Sequence, residues 1–226
     1  DFQIEAEHLF EKLGWSRFKG EIITQKVIPI GSAQNLRPDI IIAKDHKQII
    51  VAELKKPNAE IVLRNSDQLV SYMLQLRLRF GLLIGDTLQV FYDVPEDNEK
   101  PVKVIEIPFT PDQEVGAELI NILKKDSYSD ERFAAWCKQK ITESANAKEA
   151  ARLMKLLISE DGNALYIEVL KNHLNTRFSE EVVTKVLENL LIRVEAKQQI
   201  PTKKANKISS DLSSTRNLES ARSVKE

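Results

Sequence analysis

The 226-residue chain is 42% hydrophobic and 30% charged, which is ordinary for a globular protein with one sizeable core and an appendage. No apolar run approaches the ~20 residues that cross a bilayer, so no membrane span is expected. The single cysteine, Cys137, and three scattered histidines exclude an internal disulfide and a zinc cluster, and they favour a reducing, cytoplasmic location. The net charge of −1 does not suggest a non-specific nucleic-acid coat, and no P-loop motif occurs.

Residues 1–110 are predicted to form an α/β domain. Apolar residues recur at helical spacing from Phe2 to Leu13, and Gly14 stands where such a helix would end. A second helix is predicted over residues 66–80. Strands are predicted over residues 21–30, 39–43, 49–54, 82–84, 87–93 and 102–107.

The remainder of the chain is predicted to be a helical extension over residues 111–195 and a disordered polar tail over residues 196–226. In the extension, Asn146 with Glu149 resembles a capping box, and Ser179 before two acids predicts a helix start. The tail has seven Lys and Arg against three Asp and Glu and lacks aromatic residues, so it should contribute nothing to the core. The preceding residues then carry a net charge of −5.

Two continuously apolar runs, 40–43 and 49–52, predict strands that are buried on both faces of a sheet. The polar segment between them is too short for a crossover helix, so the strands should form an antiparallel hairpin. Asp39 opens the first strand, while Glu53 and Lys55 end the second strand on one face. Paired carboxylates there would hold a hard divalent cation, although a Glu53–Lys55 ion pair with Asp39 as a turn residue explains the same pattern.

The register of this hairpin decides whether the two carboxylates can meet. Opposite residues of an antiparallel pair point to the same face of the sheet. A two-residue loop without a bulge places Asp39 opposite Ala52 and sends Glu53 to the other face. A three-residue loop, or a two-residue turn with one bulged residue, places Asp39 opposite Glu53. A metal site requires the second arrangement.

The spacing of Pro38-Asp39, Glu53 and Lys55 resembles the PD-(D/E)XK nuclease signature. The pair Gln68 and Tyr72 resembles the Q-x-x-x-Y element that follows this signature. Over roughly residues 3–95 the chain is most similar to the N-terminal nuclease domain of type I restriction enzyme R subunits. The resemblance implies a restriction-endonuclease-like mixed sheet flanked by helices. It also implies a cytoplasmic, Mg²⁺-dependent endonuclease of a restriction system, with Mn²⁺ as a substitute, DNA as substrate and separate motor or specificity subunits as partners.

The resemblance implies a role for each site residue. Asp39, Glu53 and the carbonyl of Leu54 would bind the metal, and Lys55 would act on the attacking water. Gln68 and Tyr72, four residues apart on one helical face, would reach the same cleft, although a half-buried Tyr72 in a plain helix face fits as well. Some members of the superfamily add an acid from the first helix, for which Glu5 is a better candidate than Glu7, and a solvated face explains both.

Five basic residues are predicted to lie on or near the cleft and its helix, where they could contact phosphates. These residues are Lys55, Lys56, Arg64, Arg77 and Arg79. Two alternatives to a nuclease stay open. One is a nuclease-fold module that binds nucleic acid or a partner and cuts little by itself, which the net charge of −5 favours. The other is a structural domain whose acids form salt bridges, which the intact Asp, Glu and Lys set disfavours.

Overall fold

The structure, a computed structural model, describes residues 2–30, 34–56, 58, 63–95, 100–190, 192 and 194–196. Within these residues the helices are α1 Phe2–Lys12, α2 Leu63–Leu76, α3 Glu114–Leu123, α4 Asp130–Leu157, α5 Glu160–Leu174 and α6 Glu180–Leu187. The strands are β1 Ile22–Thr24, β2 Ile28–Ile30, β3 Gln34–Leu36, β4 Ile40–Lys44, β5 Lys47–Leu54, β6 Phe80–Ile84, β7 Thr87–Tyr92 and β8 Val102–Pro108. Residues 197–226 of the predicted tail lie outside the described residues.

The six-stranded sheet has the order β1-β4-β5-β6-β7-β8. β5 and β6 are parallel because α2 connects them as a crossover, whereas the other neighbours are antiparallel. This arrangement confirms the predicted mixed sheet flanked by helices. The single predicted strand over residues 21–30 is wrong, since Gln25 has a left-handed φ of 48° and the chain then forms a separate β2–β3 pair.

The β4–β5 hairpin has the register that a shared carboxylate site requires. Asp45 and His46 form a two-residue turn with φ values of 49° and 64°, as in a type I′ hairpin. Ala43 pairs with Gln48, but Ile42 pairs with Ile50, so Ile49 is the extra residue of a bulge. Beyond this bulge Ile40 lies opposite Ala52, and the same register continued by one position places Asp39 opposite Glu53. Of the two arrangements that a shared site allows, the structure has the two-residue turn with one bulged residue.

The sheet separates two apolar clusters. On one face, α2 packs its Leu69 and Met73 against Ile41, Val51 and Leu83 of the central strands. On the other face, α1, α3 and the first turns of α4 cover the sheet. Phe133, Trp136 and Cys137 of α4 are buried in this second cluster, which confirms the prediction that Trp136 and Cys137 belong to the core.

The chain divides into two compact units, residues 1–152 and 153–226. The first unit extends beyond the domain boundary expected at residue 110, because α3 and the start of α4 complete the core on one face of the sheet. α4 is continuous through Asn146, so the capping box predicted there is wrong. Ser179 does precede α6 as its N-cap residue, as predicted.

In the second unit, α5 begins after Ser159, whose side chain accepts a hydrogen bond from the backbone N–H of Gly162. Val183 and Leu187 of α6 are buried, whereas four large apolar residues of α5 are exposed: Leu165, Ile167, Val169 and Leu170. Among the described residues, no helix combines the length and the apolar character needed to span a bilayer.

Candidate active site

The two predicted carboxylates meet at one edge of the central sheet. Asp39 immediately precedes β4, and Glu53 is the penultimate residue of β5. The carboxylate Oδ2 of Asp39 accepts a hydrogen bond from the backbone N–H of Leu54 at 2.8 Å. This bond links the start of β4 to the end of β5. It follows from the bulged register, which brings Asp39 and Glu53 to the face covered by α2.

Glu53 is a buried acid with incomplete hydrogen bonding. Its residue surface is 4% exposed, and its Oε1 accepts a hydrogen bond from Lys55 Nζ at 2.9 Å. Its other oxygen, Oε2, has no hydrogen-bond partner among the described residues. Burial raises the pKa of Glu53 to about 7, the Lys55 ammonium opposes that rise, and the charge of Asp39 adds to it. An additional positive charge at Oε2 would compensate the buried carboxylate.

Lys55 lies just beyond the end of β5, with its side chain 21% exposed. Its backbone N–H donates to the carbonyl of Ile84 at 2.8 Å, which continues the parallel β5–β6 ladder by one residue. The ammonium group consequently reaches both Glu53 and the open side of the cleft. Leu54, whose carbonyl is the predicted third metal ligand, lies between these two residues, and its role stays a prediction.

Gln68 and Tyr72 bring the α2 helix into the same site. Gln68 Nε2 donates a hydrogen bond to the Tyr72 hydroxyl at 2.6 Å, and that hydroxyl donates to the carbonyl of Arg37 at 3.3 Å. Burial raises the pKa of the Tyr72 phenol, and the charges of Glu53 and Asp39 raise it further. The structure thus brings the Gln68–Tyr72 pair close to the two carboxylates, as the spacing predicts.

The first helix supplies a buried acid, but it is not the favoured candidate. Glu5 is exposed, and among the described residues no hydrogen bond or ion pair joins it to Asp39 or Glu53. Glu7 is 5% exposed, and its Oε2 forms an ion pair with Arg17 Nη1 at 2.8 Å. Its Oε1 accepts a hydrogen bond from Gln3 Nε2 at 3.0 Å. Both oxygens of Glu7 are therefore engaged within the protein.

The predicted basic lining of the cleft is only partly correct. Lys55 and Lys56 follow β5 at the site, and Arg64 is exposed in the first turn of α2. Arg77 and Arg79, however, precede β6 and lie at the opposite edge of the sheet, because β5 and β6 are parallel. Arg79 donates to the Tyr92 hydroxyl at 2.6 Å and packs over that ring. The prediction that Arg77 and Arg79 line the cleft is wrong.

Gln89 is a polar residue of the site region that sequence reasoning missed. It is 5% exposed in β7 and pairs with Leu83, which in turn pairs with Glu53. Its other neighbour is Glu106 of β8, which accepts hydrogen bonds from Thr87 and Lys103. The available signal was a glutamine inside an otherwise apolar strand, where burial of an unpaired amide is costly.

The donor set fits a hard divalent cation. Carboxylate and carbonyl oxygens are the ligands that Mg²⁺ uses, and Mg²⁺ commonly retains several waters beside one or two carboxylates. The unpartnered, buried Oε2 of Glu53 is the structural feature that such an ion would satisfy. No group of three or more His, Cys, Asp or Glu able to hold a metal is found in the described part of the chain. Waters or substrate oxygens would have to complete the coordination shell.

Comparison with known proteins finds a family model that matches the part of the chain carrying this site. The family model described as type I restriction enzyme R protein N terminus matches residues 5–108, just under half of the chain. No curated protein and no solved structure matched the chain. The matched segment contains all six strands of the sheet and both carboxylates of the site. Residues 5–108 are therefore similar to the N-terminal part of type I restriction enzyme R proteins.

Proposed function

We propose that this protein is a metal-dependent endonuclease of a restriction system that hydrolyses phosphodiester bonds in DNA. The observation that carries the proposal is the buried Glu53 carboxylate, which has one unpartnered oxygen, shares a sheet face with Asp39 and pairs with Lys55. A buried carboxylate beside a second acid is costly unless a cation compensates it. The similarity of residues 5–108 to the N terminus of type I restriction enzyme R proteins supports a role in a restriction system.

In this proposal Asp39, Glu53 and the carbonyl of Leu54 hold Mg²⁺, and Mn²⁺ can replace it. When bound, the ion supplies Lewis-acid stabilisation of the charge that develops on the phosphate. The hydrogen bond from Leu54 N to Asp39 Oδ2 orients the first carboxylate. The Lys55–Glu53 bond orients the second carboxylate and holds the ammonium at the cleft.

The remaining residues act on the water and the substrate. Lys55 positions the attacking water by donating a hydrogen bond to its oxygen, and the positive charge of the ammonium favours release of the water's proton to solvent. Gln68 and Tyr72 form a hydrogen-bonded pair at the α2 wall of the cleft, where they position the DNA backbone. Lys56 and Arg64 add positive charge near the same edge.

The second candidate is a nuclease-fold module that binds DNA or a partner subunit and cuts little by itself. Two observations favour it: the net charge of −5 over residues 1–195, and the position of Arg77 and Arg79 away from the cleft. A separate motor or specificity subunit would then supply most of the DNA contacts. In either case a cytoplasmic location is part of the proposal, since the single cysteine suits a reducing compartment.

Incubation of the whole chain with supercoiled plasmid in Mg²⁺, Mn²⁺ or EDTA tests the proposal. The nuclease function predicts nicking or linearisation with either metal and none with EDTA. Asp39→Ala, Glu53→Gln and Lys55→Ala should each reduce the rate by about 100-fold or more, consistent with loss of a metal ligand or of the residue that positions the water. His46→Ala, which alters the exposed hairpin tip at the opposite edge of the sheet, is the matched control.

Calorimetric titration with Mn²⁺ separates the two candidates. Binding that Asp39→Ala abolishes, without cleavage of any plasmid, would favour the binding module. Equal Mn²⁺ binding by wild type and Asp39→Ala would refute the metal site.

A further inference from the structure

We propose that Gln3 and Gln25 are positioning residues for the metal ligand Asp39, and that the buried Glu7, which pairs with the exposed Arg17, anchors them. This inference rests on the proposed function. It concerns a chain of hydrogen bonds that runs from α1, across the turn after β1, to the first residue before β4. None of these four residues is expected to contact the metal or the DNA.

The anchor of this chain is Glu7. It is among the few charged residues that are buried in the described part of the protein, and its two oxygens bind Arg17 Nη1 and Gln3 Nε2 at 2.8 and 3.0 Å. A carboxylate that is buried and bonded at both oxygens holds its partners in one geometry. The amide of Gln3 consequently has a defined orientation on the outer edge of α1.

Gln25 joins this anchor to the active site. Its Nε2 donates to Gln3 Oε1 at 3.3 Å, and its backbone N–H donates to the carbonyl of Asp39 at 3.2 Å. Gln25 has a φ of 48°, in the left-handed region that residues with a Cβ rarely occupy. Such a conformation persists when surrounding contacts hold it, and strained residues of this kind gather at functional sites.

Asp39 is restrained by one contact at its main chain and one at its side chain. Pro38 precedes it and has no N–H, so this end of β4 cannot be extended by a donor from that residue. The carbonyl of Asp39 is held by Gln25, and its carboxylate Oδ2 is held by Leu54 N at 2.8 Å. Together the two bonds determine where the carboxylate lies relative to Glu53. Loss of the Gln25 side-chain contact would leave the turn after β1, and with it the Asp39 backbone, less restrained.

Mn²⁺ affinity measured by calorimetry tests this role, with Gln3→Ala, Gln25→Gly and the double variant. Glycine tolerates the φ of 48°, so Gln25→Gly removes the side chain without adding strain. We expect each single variant to bind Mn²⁺ about 5- to 10-fold more weakly, and the double variant to show no further loss, because both residues belong to one chain of contacts. Glu11→Ala, which changes an exposed residue of the same helix, should bind as wild type does.

The urea midpoint of each variant is measured beside the titration. A purely structural role for the two glutamines would lower the midpoint and leave the Mn²⁺ affinity unchanged, and that result would overturn the inference. Asp39→Ala distinguishes the inference from the proposed function. If Asp39→Ala loses Mn²⁺ binding while the glutamine variants keep it, only the positioning role is wrong. If wild type and Asp39→Ala bind equally, the metal site and the positioning role are both wrong.

Discussion

Glu53 concentrates the electrostatic cost of the site in one side chain. Its carboxylate is buried on the face of the sheet that α2 covers. Lys55 donates a hydrogen bond to only one of its two oxygens. The nearby charge of Asp39 adds repulsion, so the protonated form is favoured and the pKa is about 7. The same three features that disfavour the charged carboxylate would make it a strong ligand for a cation.

The raised pKa predicts how stability depends on pH when metal is removed by EDTA. The unfolded chain releases the Glu53 proton near its ordinary pKa of 4.5, while the folded chain retains it to about 7. Between these values the folded state binds more protons, so this group lowers the free energy of unfolding as pH rises, and its effect levels off above pH 7. Between pH 5 and pH 8 this titration should lower the free energy of unfolding of the wild type by an amount on the order of 2 kcal/mol. Glu53→Gln should lack that decrease.

Urea unfolding at pH 5, 6, 7 and 8 measures this dependence. Glu53→Gln should gain stability relative to wild type as the pH rises. Parallel curves for wild type and Glu53→Gln would contradict the assignment. The comparison between variants cancels other groups, such as Glu21, whose pKa the Lys125 hydrogen bond lowers.

At the scale of elements, α2, which carries Gln68 and Tyr72 of the candidate site, packs closely against the sheet at Gly81. Gly81 of β6 faces Leu69 and Met73 of α2, and a Cβ added at this glycine would lie 2.5 Å from Met73 Sδ and 3.2 Å from Leu69 Cγ. The helix can approach β6 only because this position has no side chain. Gln68 and Tyr72 flank the same contact along α2, so the helix-to-sheet distance also determines where they lie in the cleft.

Gly81→Ala should therefore lower the free energy of unfolding by about 1–3 kcal/mol. Because it displaces α2, it should also reduce the plasmid cleavage that the proposed function predicts. Met73→Ala in the same chain opens space for the added methyl group, so the double variant should be more stable than the two single losses would predict. A double-mutant cycle of urea unfolding measures this coupling. Additive losses would show that Gly81 is not a packing contact for α2.

At the scale of the whole molecule, the core of the α/β unit includes helices that follow the family segment. α3 contributes Leu119, Ile122 and Leu123, and α4 contributes Phe133 and Trp136 to the cluster beneath the sheet. The indole of Trp15 also donates a hydrogen bond to the carbonyl of Leu123 at 2.9 Å. The compact unit consequently ends at Arg152 rather than near residue 110.

A fragment of residues 1–152 should fold cooperatively, whereas a fragment of residues 1–110 should not. The shorter fragment loses five large buried side chains, each worth roughly 1.5–3 kcal/mol, and their sum matches the 5–15 kcal/mol by which domains are stable. Circular dichroism with thermal unfolding checks both fragments. A cooperative transition in residues 1–110 would show that α3 and α4 are dispensable for the core.

Local sequence patterns were sufficient for much of the fold and for the core of the candidate site. Strands buried on both faces of a sheet have continuous apolar runs. A connection too short to hold a crossover helix can join only antiparallel strands, so the pairing of β4 and β5 could be derived from their residues. Parity along a strand then required a bulge or a longer loop for Asp39 to meet Glu53, and the bulge is present at Ile49. The pairing of Gln68 with Tyr72 followed from helical spacing in the same way.

Only the tertiary structure decided which residues outside these local patterns reach the site. Periodicity describes which residues share a face of one element, but it does not state which end of a helix or strand lies beside another. Arg77 and Arg79 are therefore distant from the cleft, because the β5–α2–β6 crossover carries them to the opposite edge. Glu7 is buried and Glu5 is exposed, and Glu7 is bonded there by Arg17 of the segment after α1 and by Gln3 of the preceding helical turn. Burial of one residue rather than the other depends on packing between elements, and that packing is what the three-dimensional structure adds.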